Sequence, residues 1–225
     1  MDNDSFDWSK EEGTQSKELA LVDRALMKAN DVLRTRVQRL RERHPDATPE
    51  QLVKKLETML LSSVAATGAA TGGAAAVPGA GTAAAVAMTA GDASWFLSAS
   101  AAHVLAVLHV HGVRIDDLEH QKAVVLTVLA GGSGSSLTGK AAARTGSHLG
   151  KLLAESVPMT TIRSVNKVLG RNFVTKYGTK QGILVIGKAA PFGIGAAIGA
   201  GGNVLFARSV ITATRKAVET AKSVE

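Results

Sequence analysis

The sequence predicts an all-α protein, a multi-helix bundle built around Gly/Ala-rich helical hairpins. Three observations lead there. Apolar residues recur at spacings of three and four in the charged segments, the period of a helix face. The apolar content is dominated by small residues, with 23 Gly but only five Phe, two Trp and one Tyr. Such chains favour close helix–helix contact over sheets, which prefer β-branched and aromatic residues. Pro and Gly also fall at the middle or edge of long uncharged runs, where they mark turns.

Residues 1–16 read as a disordered acidic tail, with five acids against one base. Residues 17–225 read as a single helical domain. Its first helix spans 17–44, with Leu19, Val22, Leu26, Leu33, Val37 and Leu40 on its apolar side. Arg34, Arg36, Arg39, Arg41 and Arg43 are spread around its second half rather than gathered in one stripe. HPDATPEQ (44–51) breaks the helix. Thr48 is suited to cap the next one, Pro49 to occupy its first position, and Gln51 to complete a capping box.

From Thr58 to Ala90 no side chain is ionisable. Pro78-Gly79 divides this stretch into two short small-residue helices. Gly68 and Gly72 have the G-x-x-x-G spacing that lets helices touch backbone to backbone. Asp92 opens another uncharged stretch, 93–113, which Gly112 ends. Asp116 or Asp117 then caps a helix to Ala130. GGSGSS follows as a loop, and residues 138–154 read as helical. Pro158 precedes a basic amphipathic helix over 160–177. Arg163, Lys167 and Arg171 lie along one stripe, beside Ile162, Val165, Leu169 and Phe173. The last apolar stretch, 182–207, holds Gly195 and Gly199 at the same close-packing spacing and the lone polar Asn203. Asp92 and Asn203, polar residues in otherwise apolar helices, are candidates for a buried pair. A mixed helix closes the chain. Pro78 to Ala84 and Pro191 to Ala197 echo one another, which suits two Pro/Gly-tipped hairpins.

Gly134 to Lys140 has the spacing of a phosphate-binding loop, G-x-x-x-x-G-K. That chemistry needs a preceding strand, a Ser or Thr after the Lys for magnesium, and a later strand-end acid. Here Lys140 is followed by Ala141, and the later apolar run ends without a carboxylate. The preceding run, 123–130, reads as the end of a helix. The expectation is therefore a Gly/Ser linker and no enzyme. There is no cysteine, so thiol chemistry and thiolate metal sites are excluded. His103, His109 and His111 have no shared face on a helix, so no metal site and no cofactor is expected.

The net charge of +7 is uneven, with +10 carried by residues 138–225. A basic segment calls for an anionic partner. Stacking aromatics and nucleic-acid motifs are lacking, so nucleic acid is not expected. The acidic first residues hold no apolar core of a signal peptide. The leading functional expectation is a membrane-associated, non-enzymatic protein on the cytoplasmic side of the cytoplasmic membrane. Its apolar hairpins (60–113 and 183–207) would insert or dock, while Arg163, Lys167 and Arg171 face anionic lipid. A membrane-protein partner or self-association fits the same surfaces. The alternative is a cytoplasmic helical module binding an apolar ligand or a protein partner.

The order HPDATP (44–49), TGAATGG (67–73), VPGAGT (77–82), Gly91-Asp92, HGVRIDDLE (111–119) and PFGIGAAIGAGGN (191–203) resembles the EcsC family of bacterial proteins, particularly its shorter single-domain members. The resemblance covers roughly residues 45–210. It implies a helical fold and carries over no catalytic residue. His111-Gly112 stands where such proteins often have Tyr-Gly.

Overall fold

The computed structural model describes residues 8–75, 82–132, 158–160, 162–163 and 194–222. Five long helices form a bundle: α1 (Trp8–Arg43), α2 (Pro49–Ala75), α3 (Thr82–Val110), α4 (Leu118–Gly132) and α5 (Ile194–Lys222). There is no strand among the described residues.

The helices are longer than composition alone suggests. α1 starts at Trp8, nine residues before the start expected for the first helix. Lys10, Glu11, Glu12 and Gln15 are good helix formers. α2 runs on from its charged half through 58–75, and α3 runs through Gly91-Asp92. α5 joins the last apolar stretch to the mixed C-terminal segment. In each case the charge changes but no breaker interrupts the backbone. Ser63, Thr67 and Thr71 each donate a hydroxyl to the carbonyl one turn back, at 2.7, 2.9 and 3.0 Å. Polar residues thus sit in the uncharged half of α2 with their hydrogen bonds met internally. The proposed tip at Pro78-Gly79 lies outside the described residues.

Helix ends obey local chemistry. The Thr48 amide donates to Gln51 Oε1 at 2.9 Å, and the Gln51 amide donates to Thr48 Oγ1 at 3.3 Å. This is the capping box that the sequence predicts, with Pro49 at the first helical position. Its own backbone amide, followed by the Thr48 hydroxyl, holds the Glu50 carboxyl below its ordinary pKa. α3 ends at Val110, and the chain reverses just beyond it at Gly112, whose φ is +87°. The Val113 amide reaches the Leu108 carbonyl at 3.0 Å, and the Gly112 amide reaches His109 at 3.1 Å. That paired reversal requires a left-handed residue, which glycine adopts without strain. Asp117 caps α4 by accepting the His120 amide at 2.8 Å.

α3 is the centre of the bundle and packs against all four other helices. Residues 101–108 are consecutively buried, as are 121–129 of α4. An apolar sequence with no polar face is what a surrounded helix needs. Leu26, Leu108, Leu126, Val64 and Val104 are sealed from solvent. Each such side chain contributes about 1.5–3 kcal/mol by leaving water. Phe96 of α3 meets Phe206 of α5 edge to face, with centroids 6.3 Å apart.

Candidate functional site

A cleft of about 490 Å³ opens where α1 passes the C-terminal end of α3 and the loop into α4. Its first wall is one stripe of α1: Asn30, Leu33, Arg34, Val37, Gln38 and Arg41. Their steps alternate three and one, which is one face of a helix. Leu105, Leu108 and His109 line it from α3; Val113, Arg114, Ile115 and Asp116 line it from the loop.

The loop is held in place from three directions. The Gly112 reversal turns it back over Leu108. Gln121, buried at the start of α4, donates to the Ile115 carbonyl at 2.6 Å. Asn30 of α1 donates to Gln121 Oε1 at 2.7 Å. One glutamine therefore ties the first helix, the loop and α4 together at the cleft floor. The next residue, Lys122, bridges Asp23 of α1 at 2.5 Å and Glu119 at 2.7 Å. Burial pulls the Lys122 pKa down, but the hydrogen bonds and charges of Asp23 and Glu119 outweigh it and raise the net value.

The cleft is apolar inside and cationic at its rim. Arg34, Arg41 and Arg114 are exposed, against one acid, Asp116. Among the described residues, no carboxylate lies within ion-pair distance of these guanidiniums. His109, half-buried, has its pKa lowered by burial and then by Arg114 and Arg41. Proton binding at this imidazole is thus opposed by the two nearby cations.

A second polar cluster lies within the bundle. Arg215 of α5 grips Glu57 of α2 with two parallel hydrogen bonds, Nε to Oε1 at 2.7 Å and Nη2 to Oε2 at 2.6 Å. Glu57 is buried while Arg215 reaches solvent. The pair clamps the two helices with the most extensive mutual packing. His103 of α3 is buried beside it. Burial drives its pKa down to about 4, against a partial upward pull from Glu57; Arg36 and Arg215 add to the lowering. His103 Nδ1 and Ser100 Oγ are buried without hydrogen-bond partners.

The residues singled out from sequence fall as follows. Ile162 is buried and Arg163 exposed, while Lys167 and Arg171 lie outside the described residues. Gly68 is buried in α2. Gly72, Gly195 and Gly199 are placed in helices, but their surroundings lie outside the described residues. Asn203 is fully buried in α5; Asp92 lies within α3, and its side chain is outside the described residues. Residues 123–130 form part of α4, so the phosphate-loop-like segment follows a helix and not a strand. The segment itself, from Ser133 onward, is outside the described residues. Among the described residues, no group of three or more His, Asp or Glu could hold a metal ion.

The sequence reading missed the cleft and the Glu57–Arg215 clamp. Arg34 and Arg41 are seven residues apart, two turns of one face, and that spacing was the available signal. The clamp joins residues 158 positions apart, which no local pattern announces. A scan against protein-family models finds no match to this chain, and searches of curated proteins and of solved structures find none either.

Proposed function

We propose that this chain is a non-enzymatic helical binding module whose site is the cleft between α1, the end of α3 and the loop into α4. The observation that supports it is the cleft's construction. An apolar interior of about 490 Å³ is walled by Leu33, Val37, Leu105 and Leu108 and ordered by the Asn30–Gln121–Ile115 chain of hydrogen bonds. Its size falls within the range of small-molecule sites, roughly 300–1,000 Å³. The EcsC resemblance, which brings no catalytic residue with it, is compatible with a binding role. The burial of residues 101–108 on every side favours the central hairpin as core over the central hairpin as membrane insert. No helix among the described residues is long and apolar enough to cross a membrane. The test is native mass spectrometry of the purified chain for a retained apolar ligand, followed by Val37→Arg, which fills the cleft with charge. Retention unchanged by Val37→Arg would remove the cleft from the reading.

A second reading, docking on an anionic membrane surface through 160–177, is favoured by one observation. Ile162 is buried and its neighbour Arg163 is exposed, the division an amphipathic surface helix needs. Sedimentation with anionic vesicles tests it. Arg163→Glu, Lys167→Glu and Arg171→Glu together should release the protein, and unchanged binding would discard this surface.

A further inference from the structure

We infer that the cleft selects a single-chain amphiphile with an anionic end, its alkyl tail on Leu33, Val37 and Leu108 and its carboxylate or phosphate between Arg34, Arg41 and Arg114. The inference rests on the binding-module reading and adds the chemical class of the ligand.

The arrangement separates two kinds of surface over a short distance. Leu33 and Val37 precede Arg34 and Arg41 on the same α1 stripe, so the apolar wall and the cationic rim share one helix face. Leu108 lines the cleft from α3, and Arg114 lines it from the loop. Arg114 is placed by the turn at Gly112 and by the Gln121 bond to Ile115, so it belongs to a fixed element of the wall. Arg34, Arg41 and Arg114 have no carboxylate partner among the described residues, so their donors are open to an anion at the cleft mouth. Guanidinium suits the planar carboxylate and the phosphate alike, since it offers paired donors to two oxygens. A neutral apolar molecule would leave the rim unused. A small inorganic anion would leave the leucines and valine unused. Asp116 on the same rim disfavours a ligand with a second negative group on the loop side. His109 also lines the cleft, with Arg114 and Arg41 close enough to lower its pKa and Asp116 and Arg34 on the surrounding walls. An anion bound there would oppose those cations and raise the His109 pKa.

The experiment is calorimetric titration of the full chain with decanoate, decyl phosphate, decanol and inorganic phosphate, each below its aggregation concentration. Decanoate and decyl phosphate should bind, and decanol should bind about tenfold or more weakly, the scale of a charge-assisted hydrogen bond. Inorganic phosphate should bind far more weakly than either. Arg41→Gln with Arg114→Gln should lower decanoate affinity about tenfold or more, towards that of decanol, and leave decanol unchanged. Both side chains are exposed, and circular dichroism checks that the fold persists. An NMR titration should show the His109 pKa rising when decanoate is bound. Decanoate and decanol binding equally, with no effect of the arginine changes, would overturn the anionic class and leave an apolar site. Inorganic phosphate binding as tightly as decanoate would overturn the amphiphile. No binding of any of the four would overturn both this inference and the reading beneath it.

Discussion

Acid should loosen this protein through one buried imidazole. His103 lies inside the bundle at 4% exposure, faced by Glu57 and the Leu56 carbonyl from α2, Arg36 from α1 and Arg215 from α5. Its pKa falls from 6.5 to about 4 in the fold, chiefly because burial disfavours the charged ring. The unfolded chain therefore takes up a proton first as pH falls. Stability is whole above 6.5 and is lost progressively as pH drops towards about 4. At about 1.36 kcal/mol per pKa unit, the loss is roughly 2 kcal/mol near pH 5 and approaches about 3 kcal/mol near pH 4. Urea unfolding across this range measures it. Other groups titrate there too, so the decisive comparison is His103→Leu, similar in bulk and unable to charge. The variant should lose less stability than wild type between about pH 7 and pH 4, by roughly 2–3 kcal/mol. Parallel pH profiles for the two proteins would refute the assignment of acid sensitivity to His103.

The same substitution should act oppositely at two glycines. Gly112→Ala places a side chain at φ +87° and should destabilise by about 1–2 kcal/mol in urea titration. Gly201→Ala lies in α5, with nothing within 4 Å of the added carbon, and should stabilise by about 0.5–1 kcal/mol. Thr48→Ala removes half of the capping box and should cost about 1 kcal/mol by the same assay. Arg215→Ala leaves the Glu57 carboxylate buried without its clamp and should cost about 2 kcal/mol. Adding Glu57→Leu should recover most of that loss, and a double-mutant cycle checks it.

What could be read in the sequence was what the backbone settles locally. Thr48, Pro49 and Gln51 satisfy one helix start within four residues, so the box was legible, as were the Gly112 reversal and an acidic cap at Asp116 or Asp117, of which the structure uses Asp117. The all-α class followed from helical spacing and small residues. Helix lengths were misjudged because a change of composition resembles a boundary: Gly91-Asp92 and the junction at Arg208 alter charge without breaking hydrogen bonds. The cleft needs α1 laid beside a loop some 80 residues later, a matter of tertiary register. Arg34 and Arg41 were visible as cations, but the α1 face that turns inward is decided by α3. The Glu57–Arg215 clamp is more distant still, joining the second helix to the last.

A helix with a segment buried on all sides, as residues 101–108 of α3 are, also has a history during synthesis. α3 emerges from the ribosome well before α5, the partner that brings Phe206 to Phe96. At about 5–20 residues per second, the interval from the end of α3 to the end of α5 is roughly ten seconds. Through that time the most water-averse part of the chain lacks one of its walls. Nascent chains stalled before residue 194 should therefore recruit chaperones more strongly than finished ones, and truncation within α5 should yield aggregates instead of a smaller folded bundle.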